Sequence, residues 1–229
     1  NGRALPDDFR LVPLAAGNQK PGQAGFAAAW AHAGYNLRSV VFGSKLRRTS
    51  VCLLVTWFAF SLGWFGLMLW LPTLFEEKAQ GNVYASTLLV ALANAPGNAA
   101  AFYTVDALGR RRTVAVSLAA AAVAAALFTV APDGGAWPTA AACAFNAISV
   151  GAWNALDTMT AELFPTEARS TAMGLFGAAG RLGSIAGASI TGLLPSGPGG
   201  LSIGAAMLSI GGFAAFLCPE TAQTGLQDA

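Results

Sequence analysis

The sequence predicts an all-α, polytopic membrane protein with six transmembrane helices, and three observations support this. Of 229 residues, 55% are hydrophobic and only 10% are charged, whereas a soluble domain carries about 25% charged residues. The apolar residues also form continuous runs without the alternation of barrel strands. Each run approaches or exceeds the roughly 20 residues that a helix needs to cross a bilayer. The six runs are 49–75, 82–105, 113–131, 137–160, 170–194 and 199–218.

The segments outside these runs are polar or rich in turn residues. Residues 1–48 mix Pro, Gly, Asp and Gln, and we expect a cytosolic lead-in there, not a separate domain. The six-helix bundle is predicted for 49–218 and a cytosolic tail for 219–229. Because the chain begins with Asn1 and no signal peptide precedes the first run, we expect a fragment of a longer protein.

The distribution of basic residues predicts the orientation. Six spans place both termini on one side of the membrane, and only Lys78 lies near a run end on the other side. Since basic residues concentrate in cytosolic loops, both termini should be cytosolic, in a plasma or a vesicle membrane. The basic residues on the terminal side are Lys45, Arg47, Arg48, Arg110, Arg111, Arg112 and Arg169.

Composition argues against several other classes of protein. The net charge is +2 and the basic residues are dispersed, so no nucleic-acid partner is expected. Cys52, Cys143 and Cys218 lack metal-ligand spacing, and neither a metal nor a cofactor is predicted. The single histidine, His32, lies outside every run, which excludes a Ser–His pair within the membrane. We therefore expect no enzyme.

Polar residues inside the fourth run suggest a binding site. Trp153 and Asp157 are spaced i, i+4 and share a helix face, and Asn154 lies near it. A charge in a membrane helix is costly and normally faces a bundle interior or a water-filled cavity. A Trp beside it offers a stacking surface or a cation–π face. The alternative is that Asp157 lies near the cytosolic interface and has a structural role.

The other candidates for solute contact lie on different runs. Arg181 is in the middle of the fifth run, and its long side chain could reach Asp157, so we hypothesise an ion pair. Asn94 and Asn98, at i, i+4 in the interrupted second run, are weaker cavity candidates. Packing explains the glycines of the fifth run. The aromatic face of the first run, formed by Trp57, Phe60 and Trp64, is expected to face lipid or to pack.

Two charged segments on the terminal side could form a gate. In the first, Gly109 permits a tight turn and Asp106 can pair with a loop arginine. In the second, Glu162 is placed to pair with Arg110, Arg111 or Arg112. The alternatives are a merely basic turn and an interfacial acid without a switching role. The predicted gate residues are Asp106, Gly109, Arg110, Arg111, Glu162 and Arg169.

Three motifs resemble the major facilitator superfamily. The 106–111 segment is similar to its D-x-x-G-R-R loop, in the copy between helices eight and nine. Glu162 to Arg169, with Gly174, resembles the signature after helix ten of sugar and organic-ion porters. Pro219-Glu220-Thr221 resembles the P-E-T after helix twelve. The resemblance covers about residue 37 onward and implies the C-terminal half of a twelve-helix fold.

Residues 149–157 further resemble helix ten of the synaptic vesicle glycoprotein 2 group. Leu46–Thr49 resembles the segment before helix seven of that group, and Ala95–Asn98 resembles part of its helix eight. There the helix-ten Trp and Asp line the central cavity, which implies the same for Trp153 and Asp157. This chain differs in three respects. Only residues 76–81 replace a long luminal insertion, Gly177 replaces a polar residue, and the P-E-T lacks the usual Lys-Gly.

The resemblance implies transport of a small polar solute, a sugar or an organic ion, by alternating access. Proton coupling through Asp157 is one option. The implied partners are the lipid bilayer and a preceding six-helix half. The alternative is a non-transporting membrane or vesicle protein that binds a ligand on the same scaffold.

Overall fold

The computed structural model describes residues 34–35, 41–43, 46–78, 81–194 and 198–221, with the side chains of Glu167 and Pro198 excepted. The regular structure in these ranges is helical. The helices with full bounds are α1 (Arg47–Met68), α2 (Leu71–Glu77), α3 (Val83–Leu92), α4 (Asn94–Leu108), α5 (Arg110–Thr129), α6 (Trp137–Leu163), α7 (Thr166–Leu193) and α8 (Pro198–Phe216).

Each apolar run corresponds to one helix or to two consecutive helices. The first run contains α1 and α2, and Pro72 lies in the first turn of α2, where its missing N–H costs nothing. The second run contains α3 and α4, which are separated only by Ala93. Ala93 keeps α-helical dihedral angles (φ −62°, ψ −17°). The interruption expected at 93–98 is thus confined to Ala93, and the Asn94–Asn98 stretch is helical.

Four segments are long and apolar enough to cross a membrane: Arg47–Met68, Val83–Leu108, Arg110–Thr129 and Gly199–Phe216. Helices α6 and α7 have 27 and 28 residues, which is sufficient length. Their composition is more polar, because α6 carries two Asn and Asp157, and α7 carries Arg181 with many Gly and Ser. The crossing of α6 and α7, and with it the bounds of the six-helix domain, stays a prediction.

The helices pack closely at small residues. Helix α1 packs against α7 and α8, α5 packs against α6 and α8, and α6 also contacts α3 and α4. A Cβ atom on Gly97 of α4 would lie 2.5 Å from the carbonyl oxygen of Ala147 on α6. This close approach brings the polar residues of α4 next to those of α6.

Ion pairs form at both ends of the bundle. At one end, Lys78 contacts Asp133 (3.5 Å) and donates to the carbonyl oxygen of Ala131 (2.7 Å). At the other end, hereafter the basic end, the start of α5 meets the end of α6 and the segment after α8. The prediction that this end is cytosolic rests on charge alone. Residues 1–33 of the predicted lead-in and 222–229 of the predicted tail lie outside the described residues.

Candidate functional site

Two cavities lie on different sides of α6. The first, the aromatic cavity, has a volume of about 460 Å³ and lies between α1, α6 and α7. The second, the polar cavity, has a volume of about 550 Å³ and lies between α4, α5 and α6. The aromatic cavity is lined by Trp57, Ser61, Trp64, Phe65, Trp153, Met173, Gly177, Gly180 and Arg181. The polar cavity is lined by Asn98, Ala101, Phe102, Val105, Asp106, Arg110, Asn154, Asp157 and Thr158.

Trp153 is the centre of an aromatic cluster. Its ring stacks on Phe60, with centroids 4.1 Å apart and an interplanar angle of 27°. Trp57 and Trp64 meet it edge-on, at 5.8 and 6.2 Å. Stacked and edge-to-face pairs add about 0.5–1.5 kcal/mol each beyond area burial. Trp153 is therefore held in one orientation by three rings of α1.

Trp57 is fixed by a hydrogen bond that crosses from α1 to α6. Its indole N–H donates to Oγ1 of Thr160 (3.1 Å), and the Thr160 hydroxyl donates to the carbonyl oxygen of Leu156 (2.7 Å). Sequence reasoning assigned Trp57 and Trp64 to lipid contact or packing, but both also line the aromatic cavity. Their shared face on α1 could have identified them, if that face had been paired with Trp153 of α6.

Arg181 brings a positive charge to the aromatic cavity. Its side chain is exposed, and within the described residues its guanidinium forms no ion pair or hydrogen bond. A guanidinium remains charged at any physiological pH and presents a fork of donors that fits a carboxylate. An open cationic fork beside flat aromatic rings can bind a planar anion.

The polar cavity contains an amide ladder and a carboxylate. The side-chain amide of Asn154 donates to Oδ1 of Asn98 (3.0 Å), and Asn98 donates to the carbonyl oxygen of Asn94 (3.0 Å). Asp157 lines the same cavity and is exposed, without an ion pair among the described residues. The Asn94 side chain lines neither cavity. Of the predicted solute contacts, Asn98, Asn154 and Asp157 therefore share one cavity.

The hypothesised Asp157–Arg181 ion pair does not form between these described residues. Arg181 lines the aromatic cavity with Trp153, whereas Asp157 lines the polar cavity with Asn154. Consecutive helix residues are about 100° apart, so Asp157 lies between Trp153 and Asn154 around the axis of α6. Helical spacing predicts that Asp157 lies near Trp153 around α6. It does not predict that Asp157 lines the cavity next to α4 while Trp153 lines the cavity next to α1 and α7.

Arg110 joins two carboxylates at the basic end. Its guanidinium lies 3.3 Å from Asp106 on α4 and 3.4 Å from Glu162 at the end of α6. All three side chains retain some solvent exposure, and Asp106 is the most exposed at 72%. The Arg110–Asp106 pair is exposed at its acid, and such pairs contribute only about 0–1 kcal/mol. Arg110 and Glu162 keep only 20% and 24% of their side chains exposed, so their contact is partly buried.

Arg111 turns away from Glu162 towards the segment after α8. Its guanidinium lies 4.0 Å from Glu220, and its backbone N–H donates to the same carboxylate (3.3 Å). The guanidinium also lies 5.1 Å from the ring centroid of Phe216, a cation–π distance. Sequence reasoning missed Glu220 as a partner, although it belongs to the P-E-T motif that the resemblance identified.

Gly109 and Arg169 complete the basic end. Gly109 has a φ of +85°, which favours glycine, and a Cβ atom there would lie 2.8 Å from Oε2 of Glu220. The tight turn predicted at Gly109 is confirmed. Arg169 donates through Nε to the carbonyl oxygen of Ala161 (2.7 Å), so it ties the start of α7 to the end of α6.

Comparison with known proteins identifies the family. The family described as sugar (and other) transporter matches residues 26–229. Solute carrier family 22 member 7 of Bos taurus is 34% identical over 191 residues, which cover 80% of this chain and 33% of that protein. The niacin transporter NiaP of Acinetobacter baylyi is 31% identical over 151 residues, 64% of this chain and 34% of that protein.

Synaptic vesicle glycoprotein 2B of Rattus norvegicus is 34% identical over 151 residues, 64% of this chain and 22% of that protein. The chain thus spans about a third or less of the length of these relatives. The matches confirm the prediction of an all-α, multi-pass membrane protein. The chain belongs to the sugar (and other) transporter family of the major facilitator superfamily.

Proposed function

We propose that the chain forms one wall of a pathway that moves a small organic anion across a membrane. The observation that carries this proposal is the free guanidinium of Arg181 in the aromatic cavity. A cation in a membrane protein is costly unless a partner compensates it. Because the described residues supply no acid to Arg181, the solute is the partner that we assign.

The aromatic cavity suits a planar solute. Its volume of about 460 Å³ is within the range of small-molecule sites, which are mostly apolar with a few polar groups that orient the ligand. Trp57, Trp64 and Trp153 offer ring faces and edges for an aromatic ring, and Arg181 can take a carboxylate in a two-bond contact. One relative is a niacin transporter, and nicotinate is an aromatic carboxylate that serves as a first probe.

Asp157 is the group that we assign to proton coupling. It is exposed to the polar cavity, beside the amides of Asn98 and Asn154. A carboxylate in such a position can take up a proton from one side of the membrane and release it on the other. Within the described ranges, Asp157 forms no ion pair with Arg181 or with Arg110, which lines the same cavity but pairs with two other carboxylates. This supports the role, because a permanent cation in contact would hold the carboxylate charged.

Alternating access requires a second bundle that moves against this one. In such transporters two bundles rock around a site near the middle of the membrane. We propose that a preceding six-helix half supplies the opposite wall. The basic end, on the cytosolic side, is the proposed gate, in which contacts form and break during the cycle. The gate residues are Asp106, Gly109, Arg110, Arg111, Glu162 and Arg169.

Uptake of radiolabelled nicotinate into proteoliposomes tests the proposal. The protein is extended with the coding sequence upstream of Asn1, and Arg181→Gln is compared with the charge-retaining Arg181→Lys. We expect uptake that an inward proton gradient accelerates, that Arg181→Gln abolishes and that Arg181→Lys partly retains. Uptake unaffected by Arg181→Gln would overturn the assignment of the anion. Tight binding without uptake under any gradient would favour a ligand-binding protein on a transporter scaffold.

A further inference from the structure

The glycines of α7 fall into two groups. Gly180, Gly183 and Gly187 face α1, and a Cβ atom at Gly180 would lie 2.9 Å from Oγ of Ser61. At Gly183 and Gly187 a Cβ atom would collide with the backbone carbonyl oxygens of Phe58 and Leu62. Close helix packing therefore accounts for these three glycines.

Packing does not account for Gly174 and Gly177. A Cβ atom at either position would meet nothing within 4 Å, and both glycines have ordinary helical backbone. Since glycine costs about 1 kcal/mol relative to alanine inside a helix, two unpacked glycines weaken α7 without a packing benefit. A binding role would compensate for that cost.

Gly177 differs from Gly174 in what it faces. Gly177 lines the aromatic cavity together with Arg181, which follows it by four residues, whereas Gly174 does not line this cavity. Residues four apart on a helix are neighbours, with Cβ atoms about 5–6 Å apart. A side chain at 177 would therefore extend into the cavity next to the guanidinium, in the space that Trp153 also lines.

We propose that Gly177 determines the largest solute that the aromatic cavity accepts. The missing side chain leaves room for a second ring beside an anionic group held by Arg181. The solute class is then an aromatic carboxylate larger than a single ring, with the carboxylate at Arg181 and the rings between Trp153 and Gly177. This inference rests on the proposed function, in which the aromatic cavity binds an anion.

The test compares benzoate and 2-naphthoate, a one-ring and a two-ring acid, by quenching of tryptophan fluorescence in the detergent-solubilised protein, extended upstream as in the uptake assay. The variants are Gly177→Leu and the matched control Gly174→Leu, which adds the same side chain to the same helix outside the cavity. Leucine is a better helix former than glycine, so neither variant should unfold α7. We expect Gly177→Leu to weaken naphthoate binding at least about tenfold relative to benzoate.

The control should leave the ratio of the two dissociation constants unchanged. An unchanged ratio in Gly177→Leu, which includes an equal loss of affinity for both acids, would overturn the role of Gly177. If wild-type chain binds both acids and Arg181→Gln binds them equally well, the proposed anion site itself is wrong, and so is the inference that depends on it. Wild-type chain that binds neither acid would overturn both as well.

Discussion

Thr160 shows how one hydroxyl can fix a binding surface. It lies buried on α6 and accepts the indole N–H of Trp57, whose ring lines the aromatic cavity and contacts Trp153. A buried donor without an acceptor costs about 1–3 kcal/mol. Thr160 therefore acts as a positioning residue for Trp57, without lining the cavity itself.

Replacing Thr160 by Val removes this acceptor while keeping the shape of the side chain. We predict that Thr160→Val lowers the free energy of unfolding by about 1–3 kcal/mol and weakens nicotinate binding, because Trp57 can rotate. Thr160→Ser keeps the hydroxyl and should restore most of both properties. The measurements are thermal unfolding in detergent and a fluorescence titration. A loss in Thr160→Ser that is absent in Thr160→Val would show that methyl packing matters, not the hydrogen bond.

The sequence predicted which single residues line a cavity better than it predicted which residues they contact. Trp153, Asp157 and Arg181 were all expected to line a cavity, and each does. Their division between two cavities was not expected, because helical periodicity gives the angle between residues on one helix but not the neighbour that each residue faces. For the same reason the contact of Arg111 with Glu220, 109 residues away, followed from no local pattern.

At the scale of helices, α1 and α7 are in close contact. The position of a glycine on α7 determines whether a substitution lowers or raises the free energy of unfolding. Gly183 lies against the backbone of Phe58, where a Cβ atom would collide, and Gly174 has open space. A backbone carbonyl cannot move aside as a flexible side chain can, so the two helices would have to separate.

The effects of alanine at these two positions should have opposite signs. We predict that Gly183→Ala lowers the free energy of unfolding by about 1–3 kcal/mol through overpacking. Gly174→Ala should raise it by up to about 1 kcal/mol, because alanine is the better helix former. Thermal unfolding of both variants in the same detergent provides the measurement. A stabilising Gly183→Ala would mean that α1 and α7 are not in close contact.

The ion pairs at the two ends of the bundle provide a second comparison. Glu162→Gln removes one carboxylate from Arg110 at the basic end, whereas Asp133→Asn removes the partner of Lys78 at the opposite end. We predict that Glu162→Gln changes the maximal uptake rate at least about twofold, with little change in KM, since the partly buried Arg110 keeps only the exposed Asp106 as its acidic partner. Asp133→Asn should have little effect on either constant. A change confined to KM in Glu162→Gln would argue for a role in binding instead of gating.

Helix positions were predictable to within a few residues, because long apolar runs are the strongest local signal for a membrane helix. Internal breaks were partly predictable. The first run divides after Met68 into α1 and α2, just before Pro72, whose ring would clash with the carbonyl of Met68 in a continuous helix. The second run was expected to be interrupted at 93–98, and it divides at Ala93 but is helical over Asn94–Asn98. Tertiary contacts, such as that of Gly97 with Ala147, hold the backbone where local propensity would interrupt it.

At the scale of the whole molecule, α6 is a shared wall between two cavities with opposite charges. The aromatic cavity has Arg181 as its free cation, and the polar cavity has Asp157 as its free anion, among the residues that the structure describes. Sequence patterns alone joined these two charges into one pair. Their separation allows solute binding and proton binding to occur at different places in one bundle.

A fluorescence titration with nicotinate, in the protein extended upstream as in the uptake assay, distinguishes two separate sites from a single shared one. Three of the six tryptophans of this chain line the aromatic cavity, so quenching reports on its occupancy. We predict that Arg181→Gln weakens binding about tenfold or more, the loss expected for a charged hydrogen bond. Asp157→Asn, by contrast, should bind nicotinate as the wild-type chain does. Equal losses in the two variants would contradict the separation and restore a single site in which Asp157 and Arg181 act together.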